Sequence, residues 1–350
     1  MRRLTLVVGA RPQFVKLAPL ARLLPRFCRP CVIHTGQHYD QDMSEVFFQE
    51  LQLPTPDHHL GVGSASHGAM TGRMLEKIEE VLMAEPPDLV VVFGDTNSTL
   101  AAALAAAKLH LPVAHVEAGL RSFAPMPEEI NRVLTDRLST LLFAPSQVAV
   151  EHLAREGITR GVHEVGDLML DATRAALERG STLPRPQEPY LVMTLHREES
   201  TRSWDRLEPL LRALEAHRET ILFPCHPRTR KMIRQQGWED RLTNGALRLM
   251  DPVGHQDMLG LARHARLVLT DSGGLQKEAY FLGTPCLTLR EETEWVETVQ
   301  VGWNRLVGLD PQRVLEGLDG FKPAQARPSL YGDGHAAERI AEVLEGYRHD

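Results

Sequence analysis

The chain has 350 residues, 43% of them hydrophobic and 24% charged, which is enough for two domains with separate cores. A formal net charge of −7 excludes a protein that coats nucleic acid or an anionic membrane, so any phosphate recognition must be local. Four cysteines make no disulfide framework, no stretch approaches the ~20 apolar residues of a membrane span, and the run after Arg2-Arg3 is too short for a signal peptide; a cytoplasmic protein is expected.

In chain order, short β-branched runs alternate with longer helical stretches. Strands are predicted at 4–8, 31–35, 89–93, 113–116, 141–143 and 163–165, with helices between them, including 13–24, 71–83 and 98–108. Such alternation implies a parallel sheet covered by helices on both faces, because parallel strands need crossover connections. Cys28-Arg29-Pro30-Cys31 has the spacing of half a zinc site, but zinc needs about four ligands and no second such pair exists. Cys31 therefore reads as the start of a strand.

Residues 180–189 carry three prolines and a glycine, the composition of a linker. The alternation then restarts, with strands predicted at 190–195, 221–223, 247–249, 267–270, 286–289 and 306–308. The expected architecture is α/β: two doubly wound, Rossmann-like domains, 1–180 and 190–333, with 334–350 as a C-terminal helix packing back on the first. Ligands of such sheets bind beyond the carboxyl ends of the strands, so two facing domains would share a cleft.

The unusual residues fall at those ends. Gly9-Ala10-Arg11-Pro12 opens a helix, and Arg11 and Lys16 would flank its positive terminus as an anion site. Gly94-Asp95-Thr96-Asn97-Ser98 supplies several capping residues, which leaves Asp95 free for other work. His115-Val116-Glu117 follows the next strand, and Pro127-Glu128-Glu129 opens the helix after it; both acids there also suit the helix dipole. Asp95, Glu117 and Glu128 would converge on one surface. Crowded carboxylates have their pKa values pushed apart, as acid/base chemistry requires, or else they bind a divalent cation. Arg121 and Arg132 in the same segments favour charge balance without metal.

In the second half, His196 and His226 end adjacent strands and suit phosphate or sugar contacts. The strongest local signal is Thr270-Asp271-Ser272-Gly273-Gly274-Leu275-Gln276-Lys277-Glu278. Its Ser272-Gly273-Gly274 turn exposes backbone N–H groups at a helix start, a phosphate cradle. Glu278 lies one turn inside that helix, within reach of a ribose diol.

In this order and spacing the motifs resemble the non-hydrolysing UDP-N-acetylglucosamine 2-epimerases. They are G-A-R-P at 9–12, T-G-Q-H at 35–38, G-D-T at 94–96, H-V-E-A-G-L-R at 115–121, P-E-E-I-N-R at 127–132, H-R-E at 196–198, D-S-G-G-L-Q-K-E at 271–278 and Y-G-D-G at 331–334. The resemblance covers nearly the whole chain. It implies a glycosyltransferase-B-type fold, a homodimer, and catalysis without metal or nicotinamide cofactor. It also implies abstraction of the C2 proton with elimination of UDP, then re-addition to the 2-acetamidoglycal and reprotonation on the opposite face. By position Asp95, Glu117 and Glu128 match the family's catalytic acids, with the C2 base unassigned among them. Arg11, Lys16 and His196 match residues near the diphosphate, Ser272 and Gly273 match phosphate contacts, and Glu278 matches the ribose contact. Members activated allosterically by substrate continue Arg-Glu after T-G-Q-H, where this chain has Tyr39-Asp40. The segments 120–127 and 293–298 instead resemble a sub-branch that includes enzymes of UDP-2,3-diacetamido-2,3-dideoxyglucuronic acid. That substrate, and a UDP-sugar glycosyltransferase of the same fold, stand as the alternatives.

Overall fold

A computed structural model describes residues 2–37, 51, 53–123, 125–184 and 186–348. His38, Tyr39 and Asp40, which bear on substrate activation, lie outside the described residues. The chain divides into two compact units, Met1–Ala172 with Ser329–Asp350, and Thr173–Pro328.

The first unit holds a parallel sheet of β1 (Arg2–Val8), β2 (Cys28–His34), β3 (His58–His59), β4 (Leu89–Phe93), β5 (Val113–Val116), β6 (Leu141–Ala144) and β7 (Val162–Glu164) in the order β3-β2-β1-β4-β5-β6-β7. Both faces are covered, and the strands show it. Along β1, Leu4, Leu6 and Val8 enter one core while Val7 enters the other; along β4, Leu89, Val91 and Phe93 alternate likewise with Val90 and Val92. This is the two-residue side-chain period of a sheet buried on both sides. Helix Ala336–Gly346 contributes Ala337, Ile340 and Leu344 to the first of these cores. Asp171 caps that helix by accepting from the backbone N–H of Ala336 and Ala337 at 3.2 and 2.9 Å.

The second unit repeats the plan with β8 (Tyr190–Thr194), β9 (Thr220–Pro224), β10 (Leu247–Met250), β11 (Val268–Thr270), β12 (Cys286–Thr288) and β13 (Asn304–Leu306), ordered β10-β9-β8-β11-β12-β13. Leu191 and Met193 of β8 face one core, Tyr190 and Val192 the other.

The elements depart from the sequence expectation in several places; the helices expected at 13–24 and 71–83 run Arg11–Ala21 and His67–Ala84. β2 begins at Cys28, so Cys28 and Cys31 are both buried strand residues and both free thiols. β3, two residues long, carries no apolar run and left no sequence signal. β13 ends at Leu306 rather than starting there: its ladder with β12 runs over Asn304–Leu306, and buried Asn304 receives the Thr288 hydroxyl at 2.8 Å.

Candidate active site

In both sheets the strand order reverses beside the first strand of the unit, between β1 and β4 and between β8 and β11. At such a point the loops leaving the two strands run in opposite directions and open a crevice where ligands of these sheets bind. The motifs that follow β1, β4 and β5, and those that follow β8, β9 and β11, lie on these two crevices or on the turns next to them.

In the first unit the register sets Val7 beside Val92 and Phe93 beside Val116, so the turns after β1, β4 and β5 leave the sheet together. Gln13 ties two of them. Its Oε1 accepts from the N–H of Gly9 and Ala10 at 2.7 and 3.0 Å, in the buried turn that leads into helix Arg11–Ala21. Its Nε2 donates to the Phe93 carbonyl and the Thr99 hydroxyl at 2.8 and 3.0 Å. The Arg11 side chain lies outside the described residues. One turn further along the same helix, buried Lys16 forms an ion pair with Glu117.

Glu117 ends β5 at φ +71°, a conformation that an extended strand cannot continue. Gly94, at φ +64°, passes so close to the Lys16–Glu117 pair that a Cβ there would sit 3.2 and 3.3 Å from the charged atoms. Asp95 follows it. Arg132 forms an ion pair with the Asp95 carboxylate, and Asn131 donates to the Asp95 carbonyl at 2.9 Å. Burial pushes the Asp95 carboxyl above its ordinary range, and the charge of Glu117 adds to this; Arg132 and Lys16 oppose it. Asp95 and Glu117 thus stand on neighbouring turns, each held by its own cation.

The paired acids at the next helix separate. Glu129 accepts from the N–H and hydroxyl of Ser122 at 3.0 and 2.9 Å and lies 3.3 Å from Arg132. Its carboxylate is spent on the loop and the helix start. Glu128, half-buried, takes part in no hydrogen bond or ion pair among the described residues.

Beneath these turns lies a network the sequence reading missed. His115 is fully buried, with Nδ1 2.7 Å from Asp136 and Nε2 2.8 Å from the Gly94 carbonyl. Asp136 also accepts from Arg121 at 2.8 Å and from the Gly119 N–H at 3.2 Å, and Arg121 reaches Glu156 at 2.7 Å. The available signal was a histidine inside an otherwise apolar strand, followed 21 residues later by an aspartate inside a helix.

In the second unit Asp271, fully buried at the end of β11, accepts from the N–H of His196 and Arg197 at 3.0 and 2.8 Å. The His196 ring, half-buried, sets Nδ1 3.2 Å from the same carboxylate. Burial alone would raise the Asp271 pKa, but the bonds from His196 and the two backbone N–H groups hold it below the ordinary range. One carboxylate therefore shapes the turn after β8 from the turn after β11. His226, exposed, caps helix Pro227–Gln235 by accepting at Nδ1 from Arg228, and its ring centroid lies 6.1 Å from that of His196.

Ser272 caps helix Gly273–Leu282, its hydroxyl accepting from Leu275 N–H at 3.3 Å. At Gly273 no side chain fits, because a Cβ would run into the Glu294 carboxylate, which Arg290 holds at 2.9 Å. Trp295 donates from its indole to the Gly273 carbonyl at 2.8 Å and carries Lys277 3.9 Å over its ring. Gly274, half-buried, completes the first helical turn. Glu278, buried along that helix, receives His255 Nε2 at 2.6 Å. The result is a helix start whose first two residues, Gly273 and Gly274, carry no side chain, with an acid further along, suited to a phosphate and a polar group attached to it. Among the described residues no group of three or more His, Cys, Asp or Glu side chains has the arrangement of a metal site.

Comparisons with known proteins agree with this geometry. The family model for UDP-N-acetylglucosamine 2-epimerase matches residues 26–345. The chain is 48% identical to a UDP-N-acetylglucosamine 2-epimerase homolog of Methanococcus maripaludis, over 98% of this chain and 99% of the relative. It is 45% identical to the UDP-2,3-diacetamido-2,3-dideoxy-D-glucuronate 2-epimerase of Pseudomonas aeruginosa, over 97% and 98%. Its structure resembles that of the Methanocaldococcus jannaschii UDP-GlcNAc 2-epimerase solved in complex with UDP-GlcNAc and UDP, with a TM-score of 0.87, 42% identity, and coverage of 99% and 100%. The likeness establishes the fold as two doubly wound domains of the glycosyltransferase-B type. No helix of the described residues is long and apolar enough to cross a membrane.

Proposed function

The chain belongs to the UDP-N-acetylglucosamine 2-epimerase family, and on that premise we propose that it interconverts UDP-N-acetylglucosamine and UDP-N-acetylmannosamine. The observation that carries this is the pair of cation-held carboxylates, Asp95 and Glu117, on adjoining turns at the switch point of the first sheet. Two acids in different surroundings suit a reaction that removes a proton from C2 and returns one to its opposite face.

In the first half of the reaction a carboxylate takes the C2 proton, the C–H electron pair becomes the C1=C2 double bond, and the C1–O bond to UDP breaks. In the second half UDP oxygen re-adds to C1 and C2 is protonated from the other face. Glu128, whose carboxylate is engaged by no other described residue, joins Asp95 and Glu117 as a proton donor or acceptor. Lys16, Arg11 and His196 supply positive charge or N–H donors to the departing diphosphate, which stabilises the leaving group. Ser272, Gly273 and Gly274 receive phosphate at the helix start, Glu278 takes the ribose, and His226 extends the polar lining beside His196. The active species is a cytoplasmic homodimer; the exposed apolar Phe123, Ile130 and Leu134 support an interface on the first unit.

A second substrate, UDP-2,3-diacetamido-2,3-dideoxyglucuronate, is favoured by the 45% identity to an enzyme of that name. Incubation of each UDP-sugar with the enzyme in deuterium oxide separates the two. The preferred substrate acquires deuterium at C2 and yields its 2-epimer. Absence of exchange with both overturns the epimerase reading.

A further inference from the structure

The Glu278 carboxylate does not stand alone. It sits in helix Gly273–Leu282, whose glycine start forms the proposed anion cradle, and His255 Nε2 meets its Oε1 at 2.6 Å. Both side chains are well buried, at 16% and 7% exposure, so the contact is shielded from competing water. His255 opens helix His255–His264, which is capped by Gly254 rather than by a side chain.

We propose that His255 is the positioning residue for nucleotide recognition in this protein: it fixes the Glu278 carboxylate so that the ribose 2′- and 3′-hydroxyls of a uridine diphosphate are read together. The inference rests on the UDP-sugar reading above and deepens it. Four residues separate Gly274 from Glu278, so the acid stands about 6 Å along the helix axis from the cradle, a span of the order that separates a bound phosphate from its ribose diol. A carboxylate accepts roughly four hydrogen bonds. With one of these taken by His255 on Oε1, Oε2 and the second lone pair of Oε1 remain for the two hydroxyls. A mobile carboxylate would have to be ordered on each binding event; one clamped by a neighbouring ring presents its acceptors already oriented.

Calorimetric titration with UDP and with 2′,3′-dideoxy-UDP tests this on the full chain. The wild type is expected to bind UDP at least about 10-fold more tightly than 2′,3′-dideoxy-UDP, the difference made by hydroxyls bonded to a charged group. His255→Leu should weaken UDP binding and leave 2′,3′-dideoxy-UDP nearly unchanged, collapsing the ratio towards one. His255→Gln, which keeps an N–H at similar reach, should restore most of it. A generalised structural defect lowers both affinities alike and is not rescued by glutamine. An undiminished ratio in His255→Leu, or equal loss for both nucleotides, overturns the proposal. A wild type that binds neither nucleotide would instead overturn the UDP-sugar reading on which it stands.

Discussion

His115 and Asp136 are joined at 2.7 Å in the floor of the first crevice, and the other ring nitrogen of His115 faces the Gly94 carbonyl at 2.8 Å. A backbone carbonyl only accepts, and Asp136, which also receives Arg121 and a backbone N–H, is placed as an acceptor too. His115 therefore bridges the Asp136 carboxylate and the Gly94 carbonyl, and so holds the turn that carries Asp95. Asp136→Asn removes the carboxylate that both His115 and Arg121 use, and is expected to cost about 3 kcal/mol in urea unfolding. Glu156→Gln, at the more exposed end of Arg121, should cost about 1 kcal/mol or less.

Asp95→Asn and Glu117→Gln should each lower turnover by about 100-fold or more while UDP still binds, as expected of groups that move protons. The raised pKa of Asp95 has a direction that can be checked. A carboxylate acts as a base only when ionised, so the rate should rise with pH through a limb above the usual aspartate range. Arg132→Met, which removes the main opposing charge, should move that limb to still higher pH. A limb unmoved in Arg132→Met would separate Asp95 from the rate.

Stability below neutral pH should respond to His34. It is buried, receives the Gly36 N–H at Nδ1, and stacks on His59 at 4.6 Å between ring centroids. Burial first, and the nearby His59 second, push its pKa down from 6.5 to about 4. Between those values the unfolded chain binds a proton that the folded chain refuses, so stability falls as pH drops from about 6.5 towards 4. The loss is on the order of 2–3 kcal/mol. Denaturant melts of His34→Gln should show a flatter pH dependence over this window than the wild type.

Gly273→Ala tests the anion cradle. The added Cβ meets the Glu294 carboxylate, and Arg290 keeps that carboxylate from swinging away. UDP affinity should fall by about 10-fold or more by calorimetry. Relief of the defect by a second change, Glu294→Ala, would attribute it to this one collision.

The two domains were legible because a sheet buried on both faces leaves unbroken runs such as Leu89–Phe93, and three prolines interrupt the pattern near residue 185. Strand ends exposed the acids because charged residues there break an apolar run abruptly, as Asp95 and Glu117 do. The distinction between Glu128 and Glu129 was not legible, since adjacent acids at a helix start look alike until Ser122 engages one of them. Arg132 was legible as a charge balancing the acids but not as the partner of Asp95 in particular, and Asp136 and His255 were not legible as partners. Each lies on a different element from the residue it holds, and pairing across elements leaves no local pattern in the chain.

Gln13 and His115 between them bind the turns after β1 and β4 to each other and to β5 through the Gly9 N–H and the Phe93 and Gly94 carbonyls. Dipoles locked to each other in this way have little left to reorganise when charge moves during a reaction. An arriving sugar nucleotide would meet a first-unit surface whose solvation-like response is already in place, so the heat-capacity change on binding should report the ligand's own buried area and little folding of these turns.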